Sequence, residues 1–371
     1  MLRRLPPSLA MAARHAGVTR LADLTGLDRL GVPVWQAVRP WSRTVSVHQG
    51  KSLDAAVAPI VALMEAIEVH AAERPGAATL SCAWDGIDPM QRSPLPDDFA
   101  EVREGLAADT PLEWLRAERI GDGSSFFVPR AAVLLDFAGG AEDAAGVEIS
   151  SNGQGAHFSL AAATLKGLLE LVERDAMAEA ERGGTIDWRL GRVHVEPGHW
   201  PWFDALIDRA RASGISVWLY RFPALAGIRV LCCEMREPGA FPAPQAIARG
   251  VAAGFCNEEA LRGAVAEAAQ VRLTNIAFAR EDLMGVLPGR PIDAVPPLAF
   301  VVRPNILEPA ATVGERCPVA SVAQLSAGLA EAGYPDIVRF RLDTGTPDVH
   351  AVRMFVPGLG SGRRRRRKRA G

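Results

Sequence analysis

The sequence predicts an α+β fold in which helices cover β-sheets, and three observations support this class. Segments rich in Val, Ile and aromatic residues alternate with Ala-rich segments of helical character. An internal repeat, offset by about 105 positions, places a Ser/Gly-rich turn and a helix in each of two copies. The 371-residue chain is 49% apolar, which supplies a sizeable core for one large domain or two lobes.

The predicted strands are short and apolar, as expected for sheets packed against helices. They cover residues 34–38, 78–83, 131–137, 216–222, 228–235 and 337–342. The predicted helices cover residues 54–74, 159–182, 201–213, 258–279 and 322–332. Asn257 precedes two glutamates and is predicted to cap its helix. Pro59 is predicted to kink or delay the first helix, because proline lacks a backbone N–H.

The two copies of the repeat, at about residues 46–76 and 151–181, are predicted to form pseudo-symmetric halves. In each copy the turn, 46–50 or 151–155, precedes a helix that carries two glutamates three residues apart. The segment 86–127, rich in Pro, Asp and Glu, is predicted to connect the copies.

The acidic pairs are the strongest indication of a functional site. They are Glu65 with Glu68, Glu170 with Glu173 and, in a weaker third echo, Glu267 with Gln270. Positions i and i+3 share one helix face, so each pair directs its side chains toward one place. Converging carboxylates repel unless their pKa values rise or cations bind, and such oxygen ligands suit the Mg²⁺ of a nucleotide. The alternative is a pair of ordinary solvated helix faces.

Conventional phosphate motifs do not supply this nucleotide site. The Gly50–Ser52 tripeptide resembles the end of a Walker loop, but Val45 stands where the first glycine of that loop belongs. Phe158 similarly replaces the third glycine of a dinucleotide fingerprint. The two turns could still present backbone N–H groups and Lys51 to phosphate, or could simply cap their helices.

An ordered series of motifs resembles those of the YcaO-domain family. The motifs lie at residues 17–34, 36–40, 46–51, 63–68, 151–153, 169–175, 267–273 and 356–359. The opening run is most similar to the branch encoded beside a TfuA-type partner. The resemblance implies a YcaO-like catalytic domain over residues 17–360, with residues 1–16 as a poorly ordered leader and 361–371 as a disordered basic tail.

The resemblance implies an ATP- and Mg²⁺-dependent enzyme of the cyclodehydratase or thioamide-forming type. Such enzymes phosphorylate a peptide amide oxygen after a nucleophile has attacked the amide carbon. A Cys, Ser or Thr side chain as nucleophile gives an azoline, and an external sulfur donor gives a thioamide. The implied partners are a precursor peptide or protein substrate and a TfuA-like protein, and a homodimer is left open.

The same resemblance assigns residues to the site. It implies that Mg²⁺ is held by Glu65, Glu68, Glu170 and Glu173. It implies that the nucleotide is contacted by Lys51, Ser151, Asn152, Arg174, Glu267 and Gln270. For Arg174 the alternative is an intrahelical ion pair with Glu170. No residue is assigned as catalytic.

Several positions depart from the family pattern. Val61 occupies a position near the first acidic pair where a serine is common, and His157 stands where asparagine is usual. The chain lacks the Pro-x-Pro-x-Pro tail that azoline-forming members often carry. These departures support a second reading, a degenerate non-catalytic YcaO-like accessory or scaffold protein.

Composition narrows the class of protein. The five scattered cysteines are typical of reduced thiols in a cytoplasmic protein. No stretch approaches the roughly 20 apolar residues of a membrane span, and the N-terminus is unlike a secretory signal. The arginine-rich residues 363–369 could bind nucleic acid, but the net charge of −2 and the lack of an accompanying nucleic-acid-binding motif argue against that role.

Overall fold

The computed structural model describes residues 5–91, 109–138, 150–181, 191–238, 247–278, 305–308 and 317–359. These residues form three β-sheets with helices packed against them, which confirms the predicted α+β class. The predicted disordered tail, 361–371, lies outside the described residues.

The α-helices of the described ranges are α1 (Pro7–His15), α2 (Ala58–Glu73), α3 (Arg130–Val133), α4 (Leu160–Glu181), α5 (Pro201–Ala212), α6 (Asn257–Ala277) and α7 (Pro318–Glu331). All five predicted helices are present, with shifted ends. Helix α2 begins at Ala58, so Pro59 lies in its first turn. Because the first N–H groups of a helix have no partner within it, the proline delays this helix without breaking a backbone bond.

The strands are β1 (Arg20–Asp23), β2 (Val34–Val38), β3 (Val47–Lys51), β4 (Leu80–Cys82), β5 (Leu112–Arg119), β6 (Ser125–Pro129), β7 (Gln154–His157), β8 (Arg192–His194), β9 (Ser216–Phe222), β10 (Arg229–Arg236), β11 (Ile247–Gly254), β12 (Asn305–Ile306), β13 (Val338–Leu342) and β14 (His350–Phe355). The sheets have the orders β1-β2-β3, β11-β10-β9-β8-β12 and β4-β5-β13-β14-β7, with β6 also paired to β5. Neighbours are antiparallel except β8 and β12, which are parallel.

Three strand–helix units form a closed ring. The edge strand of each sheet, β3, β7 or β11, is followed in sequence by a helix, α2, α4 or α6, that packs on it. Each of these strands also contacts a second helix, since β7 touches α2, β11 touches α4 and β3 touches α6. The three helices lie in three separate hydrophobic clusters. The ring brings the three helices, and hence the predicted acidic positions, around a common centre.

Glycine permits the close strand–helix contact in every unit. An added Cβ would lie 2.0 Å from the α2 backbone at Gly50, 2.2 Å from the α4 backbone at Gly155 and 2.2 Å from the α6 backbone at Gly250. Any larger residue would push the strand away from its helix. The third unit, β11 with α6, is the structural counterpart of the weak third echo in the sequence.

The first predicted Ser/Gly-rich turn, 46–50, is almost entirely strand, whereas the second is a turn over 151–153 and strand from Gln154 onward. Residues 47–51 form β3 and pair with β2, and the second copy has a short turn before β7, which pairs with β14. Sheet pairing therefore overrides the low strand propensity of these segments.

The predicted poorly ordered leader is a helix from Pro7 onward. Proline is favoured at the first helical position, so the prolines that interrupt the apolar run start α1. Leu9, Ala12 and Ala13 are fully buried in the cluster that contains α2. The apolar face of α1 is thus part of the core.

The strand predicted at 131–137 is wrong. Residues Arg130–Val133 form the short helix α3, and the following backbone is extended without joining a sheet. Leu135 N donates to Ala72 O at 3.0 Å, and Phe137 N donates to Arg43 O at 2.8 Å. The backbone N–H groups of these apolar residues donate hydrogen bonds to carbonyl groups at the end of α2 and in a loop, not to a neighbouring strand.

Two further predictions need correction. The segment 86–127 is more than a connection, because it contains β5, which pairs with β4, β6 and β13 inside the six-stranded sheet. Asn257 is the first residue of α6 rather than its cap, and Cys256 occupies the cap position. The Asn257 side chain donates through Nδ2 to Glu308 O at 2.8 Å.

The remaining class predictions concern membranes and disulfides. Among the described residues, no helix is long and apolar enough to cross a membrane. All five cysteines are free thiols.

Candidate functional site

The predicted acidic positions lie on the three helices of the ring. They are Glu65 and Glu68 on α2, Glu170 and Glu173 on α4, and Glu267 with Gln270 on α6. Desolvation raises the pKa of Glu170, and Glu68 on the neighbouring helix raises it further. Desolvation and Glu267 act in the same way on Glu173. The structure therefore brings carboxylates from three separate helices close enough to influence one another.

Between α2 and α4, a lysine on α4 forms an ion pair with a glutamate on α2. Lys166 Nζ donates to Glu68 Oε2 at 2.7 Å, and Glu68 is buried while Lys166 is partly exposed. Desolvation would lower the pKa of Lys166, but the attraction of Glu68 outweighs it and the pKa is raised. Glu170 also attracts this ammonium group.

Between β3 and α6, a second lysine forms an ion pair with a glutamate on α6. Lys51 Nζ lies 3.3 Å from Glu267 Oε2, and both side chains are partly buried.

Desolvation, followed by the charge of Glu267, raises the pKa of Glu173 to about 8. At neutral pH the Glu173 carboxyl is therefore largely protonated in the absence of a further cation.

The first glutamate of each α2 and α4 pair has the same surroundings. Desolvation is the main cause that raises the pKa of both Glu65 and Glu170. Glu65 Oε1 accepts a hydrogen bond from Gln49 N at 3.4 Å, and Glu170 Oε2 accepts one from Gly153 N at 3.2 Å. In both copies, a backbone amide near the edge strand fixes the carboxylate against the sheet.

The carboxylates are not arranged as a finished metal site. Within the described ranges, no three His, Cys, Asp or Glu side chains are placed to share one ion. The two lysine ion pairs occupy Glu68 and Glu267 instead. Metal binding at this centre would require these carboxylates to turn away from the lysines.

Polar groups without partners surround the same centre. Buried side-chain atoms that lack a hydrogen-bond partner include Gln49 Nε2, Gln154 Nε2 and Oε1, Arg174 Nε, Gln270 Oε1, and Arg353 Nε and Nη1. Buried polar groups are normally satisfied, so a cluster of unsatisfied ones fits a polar ligand. Together with carboxylates of raised pKa, they suit a nucleotide accompanied by Mg²⁺.

The residues predicted to contact the nucleotide differ in their exposure and in their present partners. Arg174 Nη2 lies 3.6 Å from Glu170 Oε1, so the intrahelical pair considered above is present. Ser151 is exposed and Asn152 is half-buried, in the turn before β7. Lys51, described above, faces Glu267. The roles of these residues stay predictions.

Sequence reasoning missed Lys166, Gln154 and Arg353. Lys166 could have been found, because it lies four residues before Glu170 on the same helix face. Gln154 stands in the repeat at the position of Gln49, which is a second usable signal. Arg353 carries no local signal, since only the pairing of β14 with β7 brings it to the site.

Comparisons with known proteins identify the family. The profile of the family described as YcaO cyclodehydratase, ATP- and Mg²⁺-binding, matches residues 49–360. An uncharacterised protein in the tfuA 3′ region of Rhizobium leguminosarum bv. trifolii is 30% identical over 96% of this chain and 88% of its own length. An uncharacterised protein of Methanothermobacter thermautotrophicus is 30% identical over 72% of this chain and 68% of its own length.

Solved structures share the fold. YcaO from Methanopyrus kandleri bound with AMPPCP and Mg²⁺ aligns with a TM-score of 0.68 and 21% identity, over 94% of this chain and 88% of that protein. A heterocyclase in complex with substrate and cofactor aligns with a TM-score of 0.68 and 19% identity, over 92% of this chain. The chain spans 50% of that heterocyclase. On the extent of the profile match and of the relative at 30% identity, the chain belongs to the YcaO cyclodehydratase family.

Proposed function

We propose that this protein is an ATP- and Mg²⁺-dependent enzyme that phosphorylates a backbone amide oxygen of a ribosomally made peptide or protein, giving an azoline or a thioamide. The observation that carries the proposal is the convergence of Glu170 and Glu173 with Glu68 of the neighbouring helix, in a site where desolvation and neighbouring acids raise the pKa of Glu170 and Glu173. Such an arrangement is costly unless cations bind there. Membership of an ATP- and Mg²⁺-binding family supports the same ligands.

The proposed roles of the side chains follow from their positions. Mg²⁺ is assigned to Glu65, Glu68, Glu170 and Glu173. The bound cation would lower the raised pKa values of Glu65, Glu170 and Glu173 and keep these three ionised. ATP supplies the phosphoryl group that turns the amide oxygen into a good leaving group. Nucleotide contacts are assigned to Lys51, Ser151, Asn152, Arg174, Glu267 and Gln270. For Lys51 this requires exchanging the Glu267 carboxylate, 3.3 Å away, for a phosphate oxygen.

The proposed partners are a precursor peptide or protein and a TfuA-like protein, in the cytoplasm, with a homodimer as one possible assembly. Support for the TfuA-like partner comes from the relative encoded in a tfuA 3′ region. Mass spectrometry of a reacted peptide separates the two products, because an azoline has lost one water and a thioamide has exchanged oxygen for sulfur.

Calorimetry with AMPPCP, with and without Mg²⁺, tests the proposal. The wild-type protein should bind the analogue in a Mg²⁺-dependent manner, and the Glu68→Ala plus Glu173→Ala double variant should lose that dependence. Thermal unfolding of the double variant checks that it is folded. A folded double variant with wild-type affinity for the magnesium complex would contradict the assignment.

The second candidate is a non-catalytic scaffold, which the two lysine ion pairs favour. Lys51 and Lys166 already neutralise part of the acidic centre without any ligand. A scaffold of this kind should show no Mg²⁺-dependent nucleotide binding in the wild-type protein. The same calorimetric titration therefore decides between the two functions.

A further inference from the structure

Arg353 is a buried cation that forms no ion pair with an acid among the described residues. Its residue is 6% exposed, and its Nε and Nη1 atoms have no hydrogen-bond acceptor among the described residues. Gln154 beside it is 1% exposed, and neither atom of its amide group has a partner. Both side chains thus retain hydrogen-bonding capacity that nothing in the described chain uses.

The two side chains lie on the same face of the sheet and point toward the acidic centre. Arg353 on β14 is directly opposite Gln154 on β7. Gly155 faces α4, so its neighbour Gln154 faces the other side, where α2 covers the sheet. Cross-strand partners share a face, which places Arg353 against α2 as well. The carboxylates that act on the Arg353 charge are those of Glu170 and Glu68.

The other buried arginines of the described chain are fully paired. Arg39 Nη2 lies 2.6 Å from Glu73 Oε2, and Arg272 Nη2 lies 2.9 Å from Asp28 Oδ1. Arg353 has no such contact, although burial lowers its pKa only to about 10 and leaves it protonated at neutral pH. A buried guanidinium is stabilised by an anion that accepts its hydrogen bonds, and planar N–H donors suit phosphate oxygens.

The degree of burial indicates which phosphate fits. Lys51 and Arg174, the cations assigned to phosphate above, have side chains that are 30% and 37% exposed. Arg353 is far less accessible to water. Phosphoryl transfer depends on electrostatic stabilisation of the transferred group in a site from which water is excluded. Arg353, the most deeply buried of these three cations, therefore suits the group that is transferred.

We propose that Arg353 on β14 and Gln154 on β7 bind the terminal phosphate of the nucleotide as hydrogen-bond donors. This assignment rests on the proposed function, since it presumes that ATP is the ligand. Arg353 keeps its proton and acts only as a hydrogen-bond donor and positive charge. Gln154 donates through its amide nitrogen to the same group.

The test compares a triphosphate analogue with a diphosphate. Calorimetry is run with AMPPCP and with ADP, each with Mg²⁺, on wild type and on Arg353→Met, which keeps the length of the side chain and removes its charge. The variant should lose about tenfold or more in affinity for AMPPCP and less than about twofold for ADP, because only AMPPCP carries the terminal group. Arg353→Lys should recover part of the loss, since it restores the charge without the planar donors.

Arg339→Met is the matched control. Arg339 lies on the neighbouring strand β13 but bonds to Glu118 and to Thr164 on α4, so it faces the opposite side of the sheet. This control should melt at a lower temperature and keep the wild-type ratio of AMPPCP to ADP affinity. Arg353→Met should melt no lower than wild type without nucleotide, because it removes an unpaired buried charge.

The outcomes separate the two proposals. If wild type binds both nucleotides and Arg353→Met keeps the wild-type affinity ratio, or loses affinity for both equally, the terminal-phosphate site is wrong while the proposed function stands. If wild type binds neither nucleotide with Mg²⁺, the proposed function fails and this assignment fails with it.

Discussion

Helix α2 carries a buried carboxylate, Glu73, and a half-buried one, Glu65, and their surroundings are opposite. Near its C-terminal end, Glu73 accepts hydrogen bonds from Arg39 Nη2 at 2.6 Å, Ser42 Oγ at 2.6 Å and Thr44 Oγ1 at 3.1 Å. Burial alone would raise the pKa of Glu73, but the bonds from Arg39 and Ser42 outweigh it and lower the pKa. Two turns earlier, burial dominates at Glu65 and its pKa is raised.

This contrast distinguishes a carboxylate that serves the fold from the carboxylates to which the proposed function assigns Mg²⁺. Glu73 joins α2 to the loop after β2, and its partners all come from the chain itself. Glu65, Glu170 and Glu173 have too few donors, so the folded protein bears the cost of their burial. Perturbed carboxylates of this second kind are typical of functional sites.

The largest expected effect on stability is that of a substitution at Glu73, near the C-terminal end of α2. Glu73→Ala should lower the free energy of unfolding by about 3–5 kcal/mol, because it leaves Arg39 charged, buried and unpaired. Urea unfolding followed by circular dichroism measures the loss. Since Glu73 lies outside the acidic centre, Mg²⁺-dependent binding of AMPPCP by the folded fraction should be unchanged.

Glu68→Ala, on the same helix, is the matched control for stability. Its carboxylate pairs with the partly exposed Lys166, so its loss should cost far less than the loss of Glu73. Equal destabilisation by the two substitutions would remove the distinction between the two ends of α2.

The second effect concerns pH and reverses the usual sign for a carboxylate. Glu173 has a folded pKa of about 8 against an ordinary value of 4.5, so folding favours its protonated form. Its contribution to stability should therefore fall as pH rises from about 4.5 to about 8. Glu173→Gln should remove this loss and be more stable than wild type by about 1–3 kcal/mol near pH 8.

The measurement is the difference in free energy of unfolding between Glu173→Gln and wild type across this pH range. The difference should grow with pH without ligand and shrink when Mg²⁺ and AMPPCP are present, because a bound cation favours the ionised wild-type carboxylate. A difference that stays constant with pH would show that Glu173 is ionised in the folded protein at neutral pH.

The helices of the site were predictable from the sequence, whereas its strands were not. The Ala-rich helices α2, α4 and α6 carry long local signals, and the i, i+3 acidic spacing places both members of a pair on one face. Strand β7 has no Val or Ile and β3 has only Val47, and these strands form because β14 and β2 pair with them. Glycine at the strand–helix contact, needed for close approach, lowers the strand signal at the very position that builds the unit.

The electrostatics of the centre depend on contacts between distant parts of the chain. Lys51 meets Glu267, and Arg353 acts on Glu170, across separations that no local pattern records. The acidic pairs alone therefore predict a cation site, and the structure adds the lysines and the arginine that occupy its edges. The resemblance to the YcaO family supplied Lys51 and Arg174 but not Lys166 or Arg353.

The smallest expected effect lies at the Lys166–Glu68 ion pair, where the protein's own cation neutralises an acidic side chain. Lys166→Met should cost less than about 1 kcal/mol of stability, because the Lys166 side chain is 46% exposed. The variant also removes one of the positive charges that act on Glu68, Glu65 and Glu170, so added Mg²⁺ should raise its melting temperature more than that of wild type. Arg262→Met is the control for the cation, since the Arg262 side chain is 45% exposed, close to the 46% of Lys166, and pairs with Glu258 away from the centre. If Mg²⁺ stabilises both variants equally, Lys166 does not compete with a cation for Glu68. The difference between Glu65 and Glu73 on α2 would then reflect their local surroundings and not a cation site.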